Sequence, residues 1–234
     1  MSLPARIASH ADDERPGSAH TGPGGQEGTG TMEASFAHVA QAIAAHLARV
    51  PALTHEVDAA VRHLARSAEI ALPRENFVAV SNRDHTAVLA PAIAAGLNHA
   101  AAGIAAALAA LPGPLPWRYS YPPRPADAVD LAERIAFAEL IGPRAPLDAP
   151  GCRAGFTLIA PATFYPLHAH PAIELYLVIS GHAQWTTPEA ERIVPPGEFV
   201  LHGVNQPHAM RTFAEPLLAL YGWRGDIDAP AFYL

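Results

Sequence analysis

The stretch Tyr165–Tyr176 reads YPLHAHPAIELY and packs several metal-binding residue types into a short segment. Four of its polar side chains share even-numbered positions: His168, His170, Glu174 and Tyr176. Alternate side chains of an extended strand point to the same side, so one strand can direct all four to one interior point. Packing alone gives no reason to bury two imidazoles and a carboxylate together, because unpaired polar groups are costly in a core. The stretch therefore predicts a metal centre inside a β-structure.

The spacing of these residues is that of the first cupin motif, His-x-His-x3-Glu, followed by a glycine at Gly181. The glycine that normally opens this motif is replaced by Ala162. A second, looser motif begins with the Pro-Pro-Gly turn that ends at Gly197, and a later histidine completes the ligand set. Either His202 or His208 can fill that position. The Pro-His step favours His208, because it leads from a tight turn directly into a strand.

The residue pattern around these motifs is typical of a β-barrel. Short β-prone runs are separated by Pro/Gly turns: Phe156–Ile159, Leu175–Ile179, Phe199–Leu201 and Leu217–Tyr221. Short strands interrupted this often are typical of an all-β sandwich or barrel. We therefore assign residues 142–234 to a cupin barrel, that is, a double-stranded β-helix or jelly roll.

The preceding residues have a helical pattern. Apolar residues recur at spacings of three and four over 32–71, with a break at Pro51, and predict two helices there. A further helix, kinked at Pro91, is predicted over 84–111, and a short helix over 130–141. The helical N-terminal region thus spans 32–141, and the predicted fold class is α+β, with a C-terminal cupin barrel and an N-terminal helical appendage.

The first 31 residues are rich in Gly, Ser, Thr, Pro and acidic residues and have few large apolar side chains. They cannot bury enough surface to offset the entropy of ordering, so residues 1–31 are predicted to be a flexible tail. Residues 1–30 also lack the apolar core of a signal peptide. A cytoplasmic location is expected.

Composition excludes several classes of function. The 234 residues are 50% hydrophobic, and the net charge of −7 gives no general attraction to nucleic acid or to an anionic membrane. All 15 basic residues are arginine, which excludes Schiff-base chemistry and the lysine-dependent phosphate loop. The single cysteine, Cys152, cannot form an internal disulfide. The alanine-rich segment 87–111 contains Pro91, Asn98 and His99, so it is interpreted as a buried or docked helix rather than a membrane span.

The role of Tyr176 has two interpretations. A strand tyrosine is most often a core aromatic whose hydroxyl finds any partner. This one lies two residues beyond Glu174 on the predicted metal side, where its oxygen can ligate the metal or act as a general base in the phenolate form.

At this level of detail the chain resembles the cupin-type dimethylsulfoniopropionate (DMSP) lyases of marine bacteria, of the DddL and DddQ kind. The resemblance runs from about Leu115 to the C-terminus. Five segments carry it: LPWRYSY (115–121), IAFAELIGP (135–143), YPLHAHPAIELY (165–176), PHAMRT (207–212) and LLALYGWRGD (217–226).

The resemblance implies a lyase that releases dimethyl sulfide and acrylate from DMSP by base-catalysed β-elimination. It implies one divalent metal ion, such as Zn, Fe(II) or Mn, on His170, Glu174 and His208, with His168 and Tyr176 completing the sphere. Tyr176 also matches the proposed base. Aromatic side chains would line the substrate pocket and hold the sulfonium by cation–π attraction: Tyr165, Trp223 and, by the same chemistry, Tyr221.

Two other functions are compatible with the same motif. One is another cupin metalloenzyme, a dioxygenase or a sugar isomerase, which would have no need of Tyr176 or of the aromatic pocket. The other is a non-catalytic cupin that binds a small molecule or regulates a partner. Apolar helices of this kind often dock in dimers, so a homodimer is an expected assembly.

Overall fold

A computed structural model describes residues 26–75, 77–78, 80, 85–119 and 128–234, with residues 26–31 and 128–130 described by their backbone alone. Residues 1–25 of the predicted flexible tail lie outside the described residues. Residues 26–31, the rest of that predicted tail, belong to the first helix, which begins at Gln26.

Five helices occupy the described part of the N-terminal half: α1 (Gln26–Leu47), α2 (His55–Ile70), α3 (Thr86–Gly96), α4 (Ala102–Ala109) and α5 (Ala128–Arg134). The two helices predicted over 32–71 are confirmed. The single helix predicted over 84–111 is wrong, because it is broken between Gly96 and Ala102. Pro91 lies inside α3 without ending it, whereas Asn98 and His99, which are weak helix formers, lie in the break. Among the described residues, every helix is too short or too polar to cross a membrane.

Twelve strands are present in the described residues: β1 (Leu72–Pro73), β2 (Ile135–Ile141), β3 (Leu147–Asp148), β4 (Arg153–Ile159), β5 (Phe164–Ala169), β6 (Ile173–Ser180), β7 (Ala183–Thr186), β8 (Glu191–Val194), β9 (Phe199–His202), β10 (His208–Thr212), β11 (Leu217–Arg224) and β12 (Phe232–Tyr233). The four predicted β-prone runs all lie inside strands, namely β4, β6, β9 and β11.

The helix predicted over 130–141 is correct only as far as Arg134. From Ile135 the chain is a strand paired with β4, and this pairing overrides the helix propensity of its alanines and glutamate. We therefore propose that the barrel unit begins with β2.

The strands form two sheets that enclose the barrel interior. One has seven strands in the order β1-β3-β2-β4-β11-β6-β9, and the other has five in the order β12-β5-β10-β7-β8. Side chains on the outer face of the seven-stranded sheet share a hydrophobic core with α1 to α4. Side chains on its inner face belong to a second core, with Trp185 and Met210 of the five-stranded sheet. The predicted α+β fold, a cupin barrel with helices packed on one side, is confirmed.

Ala162, at the position where the cupin motif normally has glycine, has a φ of 52°. This is the left-handed region, which costs a residue with a Cβ roughly 1–2 kcal/mol. Ala162 is exposed, so its methyl group contributes little packing in return. We expect Ala162→Gly to stabilise the protein by about 1 kcal/mol in a denaturant titration. The matched control is Ala94→Gly, at an exposed position of α3, which should destabilise by up to about 1 kcal/mol. Destabilisation by both substitutions would contradict the explanation.

Candidate metal centre

The predicted site residues come from both sheets. His168 lies on β5 in the five-stranded sheet, and His170 lies in the connection that follows. Glu174 and Tyr176 lie on β6 in the seven-stranded sheet. The expectation that one strand carries all four residues is therefore wrong. The chain crosses from one sheet to the other within this stretch, and the even-numbered side chains reach the same interior from opposite walls.

Three side chains bring their ligand atoms together in the barrel. One ligand atom from each of His170, Glu174 and His208 lies within 4.8 Å of the other two, and all three residues are buried. Glu174 Oε2 is 2.9 Å from His170 Nε2 and 3.3 Å from His208 Nε2. His168 lies directly beside this group, since it is the Cα partner of His208 across β5 and β10 and its ring is 4.0 Å from the His208 ring.

Backbone carbonyls orient three of the imidazoles. The Nδ1 atom of His168 is 2.8 Å from the carbonyl oxygen of Pro166, that of His170 is 2.9 Å from that of Ala172, and that of His208 is 2.9 Å from that of Gln206. A carbonyl can only accept a hydrogen bond, so Nδ1 carries the hydrogen in each ring. The Nε2 atom is then left as the ligand atom. This arrangement, in which a second partner holds the far nitrogen, is usual for metal-binding histidines.

The protonation states of the group also suit a metal ion. Burial alone would raise the pKa of Glu174, but His170 and His208 hold it well below its usual value. Burial lowers the pKa of His170, but the adjacent Glu174 carboxylate more than offsets this and leaves it raised. Burial and the neighbouring His208 hold the pKa of His168 well below its usual value. The carboxylate is therefore ionised and His168 is neutral, as metal ligands must be. A divalent cation bound here would replace the proton that Glu174 favours on His170.

His202, the alternative distal ligand, has a different environment. It is fully buried on β9, and its ring stacks on that of His208 with centroids 3.8 Å apart and an interplanar angle of 9°. Neither of its ring nitrogens has a hydrogen-bond partner among the described residues. Burial, followed by the nearby His208, lowers its pKa to about 3, so the imidazole is neutral. The compact group of three ligand atoms contains His208 and does not contain His202.

Tyr176 lies on the inner face of β6 and is 2% exposed. Its ring lies 6.2 Å from the His202 ring and 5.7 Å from the Trp185 ring, both in edge-on geometry. Its Cα partner on β11 is Tyr221, which is also buried. Two tyrosines thus lie side by side on the inner face, one of them two residues from Glu174.

A wall of aromatic residues adjoins His168. The Tyr165 ring stacks on the His168 ring at 4.0 Å and an interplanar angle of 14°. Phe137 and Tyr233 contact the same Tyr165 ring at centroid distances of 6.0 and 6.4 Å. The Tyr233 hydroxyl forms a 2.6 Å hydrogen bond with that of Tyr119. No sequence pattern points to Tyr233, because the two-residue strand β12 is too short to show one. Tyr119 lies in a segment that carries the family resemblance, but no role was predicted for it.

Trp223 and Tyr221 lie on β11, on the Glu174 side of the interior. The indole Nε1 of Trp223 donates a 2.7 Å hydrogen bond to Glu174 Oε1, and the Trp223 ring lies 4.4 Å from the His170 ring. Burial raises the pKa of Tyr221 well above its usual value, so this residue remains a neutral phenol. All of the predicted aromatic residues therefore adjoin the histidines, the glutamate or Tyr176.

Fold and donor set together define a cupin barrel with a buried His/Glu centre of the type that holds a divalent metal ion. The family model described as dimethylsulfoniopropionate lyase matches residues 58–219, well over half of the chain. The chain belongs to the DMSP lyase family.

Named relatives agree with this assignment. The chain is 34% identical over 113 residues to dimethylsulfoniopropionate lyase DddQ of Ruegeria pomeroyi, a match that covers 48% of this chain and 56% of that protein. It is 36% identical over 143 residues to a putative dimethylsulfoniopropionate lyase DddL of Cereibacter sphaeroides, covering 60% of this chain and 59% of that protein. The chain thus spans less than two thirds of the length of these curated relatives.

Two solved structures resemble the fold over most of the chain. One, from a study of the DMSP lyases RdDddP and RnDddQII, has a TM-score of 0.64 at 25% identity and covers 86% of this chain and 98% of that one. The other, DMSP lyase DddQ from Ruegeria pomeroyi, has a TM-score of 0.60 at 25% identity and covers 86% and 96%. The similarity therefore includes the helical region as well as the barrel.

Proposed function

We propose that this protein is a metal-dependent carbon–sulfur lyase that cleaves DMSP to dimethyl sulfide and acrylate. One observation supports this most directly. In a member of the DMSP lyase family, ligand atoms of His170, Glu174 and His208 lie within 4.8 Å of one another, and Tyr176 lies two residues beyond the glutamate on the same inner face. The other cupin metalloenzymes considered from the sequence have no need of a tyrosine at that position.

In this proposal the metal is held by His170, Glu174 and His208, with His168 and the Tyr176 oxygen as further ligands. Zn, Fe(II) and Mn all suit this set of imidazole and carboxylate donors. A divalent ion bound there supplies a Lewis acid for the substrate carboxylate and stabilises the negative charge that develops on the neighbouring carbon.

Tyr176, as the phenolate, is proposed to take the proton from the carbon next to the substrate carboxylate. The electron pair of that C–H bond becomes the double bond of acrylate. The bond between sulfur and the β-carbon breaks, and its electron pair leaves with neutral dimethyl sulfide. The proton passes from Tyr176 to solvent, so the reaction balances without an oxidant or an organic cofactor.

The aromatic side chains are proposed to hold the sulfonium end of DMSP. Tyr165, with Tyr233 beside it, presents an aromatic wall next to His168. Trp223 and Tyr221 line the opposite side of the interior. Cation–π attraction to such rings contributes roughly 0.5–2 kcal/mol. Trp223 should contribute less cation–π attraction to the sulfonium than its sequence position indicates. Its ring already lies against His170 and has the Arg153 guanidinium 5.7 Å from its centroid.

The test is headspace detection of dimethyl sulfide from DMSP under anaerobic conditions. Metal-replete protein should release dimethyl sulfide and acrylate in equal amounts, and metal-stripped protein should release neither until a divalent ion is returned. The trimethylammonium analogue of DMSP should bind competitively but eliminate slowly, because an amine leaves less readily than a sulfide. If metal-replete protein released no dimethyl sulfide, the lyase proposal would fail, and an oxygen-dependent or ligand-binding cupin would be the better hypothesis. The homodimer and the cytoplasmic location remain predictions from the sequence.

A further inference from the structure

Trp223 occupies the centre of a cross-strand row on the inner face of the seven-stranded sheet. Its Cα partner on β4 is Arg153, and its Cα partner on β6 is Glu174. The three side chains come from strands that are far apart in sequence, and only the register of the sheet brings them into contact.

The two oxygens of the Glu174 carboxylate have different partners. Oε1 accepts the 2.7 Å hydrogen bond from the Trp223 indole. Oε2 faces His170 Nε2 at 2.9 Å and His208 Nε2 at 3.3 Å. Glu174 is only 3% exposed, so water does not readily replace the indole as the partner of Oε1. The indole N–H therefore fixes the orientation of the carboxylate, with one oxygen on the indole and the other facing the histidines.

The Trp223 ring is itself held in place from two directions. The His170 ring lies 4.4 Å from it at an interplanar angle of 32°. The Arg153 guanidinium lies 5.7 Å from the ring centroid, and Arg153 Nε is 3.0 Å from Glu139 Oε2. Arg153 and Glu139 are only 20% and 22% exposed, which limits the freedom of this ion pair. The indole has little room to turn away from Glu174.

We propose that Trp223 is a positioning residue for the metal centre, in addition to any contact that it makes with substrate. Its N–H holds Glu174 Oε1, so that Oε2 alone binds the metal together with His170 and His208. Removal of a hydrogen-bond partner that orients a metal ligand typically weakens metal affinity about 10–100-fold. This inference rests on the metal site proposed above but is independent of the identity of the substrate.

The test compares two tryptophans of the same barrel by titrating metal-free protein with Zn²⁺ against a chromogenic chelator, without DMSP. Trp223→Phe keeps an aromatic ring but removes the donor, and should weaken Zn²⁺ binding about 10–100-fold. Trp185→Phe is the matched control, because it removes a buried indole N–H that has no hydrogen-bond partner among the described residues. It should bind Zn²⁺ within about threefold of wild type.

The outcomes separate this inference from the proposed function. If wild-type protein bound no Zn²⁺, the proposed metal site itself would fail. If wild type bound Zn²⁺ and Trp223→Phe bound it equally well, only the positioning role would be overturned, and a raised KM for DMSP would assign Trp223 to the substrate alone. A crystal structure of Zn²⁺-loaded wild type provides a test that requires no variant. Glu174 should bind through one oxygen with the indole on the other, and ligation through both oxygens would overturn the inference.

Discussion

The Tyr176→Phe variant is expected to cleave DMSP roughly 10²–10⁴-fold more slowly than wild type, which is the range that a positioned general base contributes. The ring is 2% exposed, and phenylalanine has nearly the same shape, so the barrel should fold unchanged. The three residues of the compact ligand group are untouched, so most of the metal should remain bound. The measurement is kcat for dimethyl sulfide release, together with metal content per chain.

Tyr221 provides the matched control for this prediction. It is buried, is the Cα partner of Tyr176 on the adjacent strand, and remains a phenol because burial raises its pKa well above its usual value. Tyr221→Phe keeps the aromatic ring that is proposed to face the sulfonium and removes only a hydroxyl that is not the base, so it should cost less than about tenfold in kcat. If Tyr176→Phe kept more than about a tenth of the wild-type rate, the base would have to be another group, with His168 as the next candidate.

The second large effect is expected on removal of a metal ligand. Glu174→Ala and His208→Ala should each lose most of the bound metal and, with it, the release of dimethyl sulfide. Each substitution removes a donor from a group of three whose ligand atoms lie within 4.8 Å of one another. The loss of affinity should therefore exceed the roughly 10–100-fold that removal of a supporting partner costs. Metal content after dialysis, measured by mass spectrometry, tests this.

The His202→Phe variant tests which histidine is the distal ligand. His202→Phe keeps a flat ring stacked on His208 but removes both ring nitrogens, and it should retain metal close to the wild-type level. Undiminished metal in both Glu174→Ala and His208→Ala would refute the ligand assignment. Loss of metal in His202→Phe with retention in His208→Ala would exchange the roles of the two histidines.

Local sequence patterns predicted the four strands correctly, but they were less reliable in the alanine-rich segments. Short runs of β-prone residues with flanking turns were sufficient for β4, β6, β9 and β11. In residues 135–141 the alanines and Glu139 favour a helix locally, but this seven-residue segment pairs with β4 and forms a strand. The pairing with β4 decides the structure of this segment. It joins residues that are too far apart in sequence for local helix propensity to reflect it.

The same limit applies to the site. Glu174 and Tyr176 are two residues apart on one strand, so their shared direction follows from strand geometry alone. The choice between His202 and His208 could not be made from spacing, because both follow the same turn and both are buried in the barrel. The hydrogen bond from Trp223 to Glu174 joins residues 49 positions apart. No local pattern contains it.

By itself, the sequence determined the cupin class, the histidines and glutamate that are candidate ligands, and the strand that carries Glu174 and Tyr176, because these depend on residue chemistry and on the two-residue period of a strand. Only the tertiary structure decided that His168 and Glu174 lie on different sheets, that His208 joins the compact group, and that Tyr233 and Tyr119 meet beside the site. The physical reason is register. Cross-strand partners are selected by hydrogen bonding and packing between distant segments, and a shift of one residue would turn each side chain to the other face of its sheet.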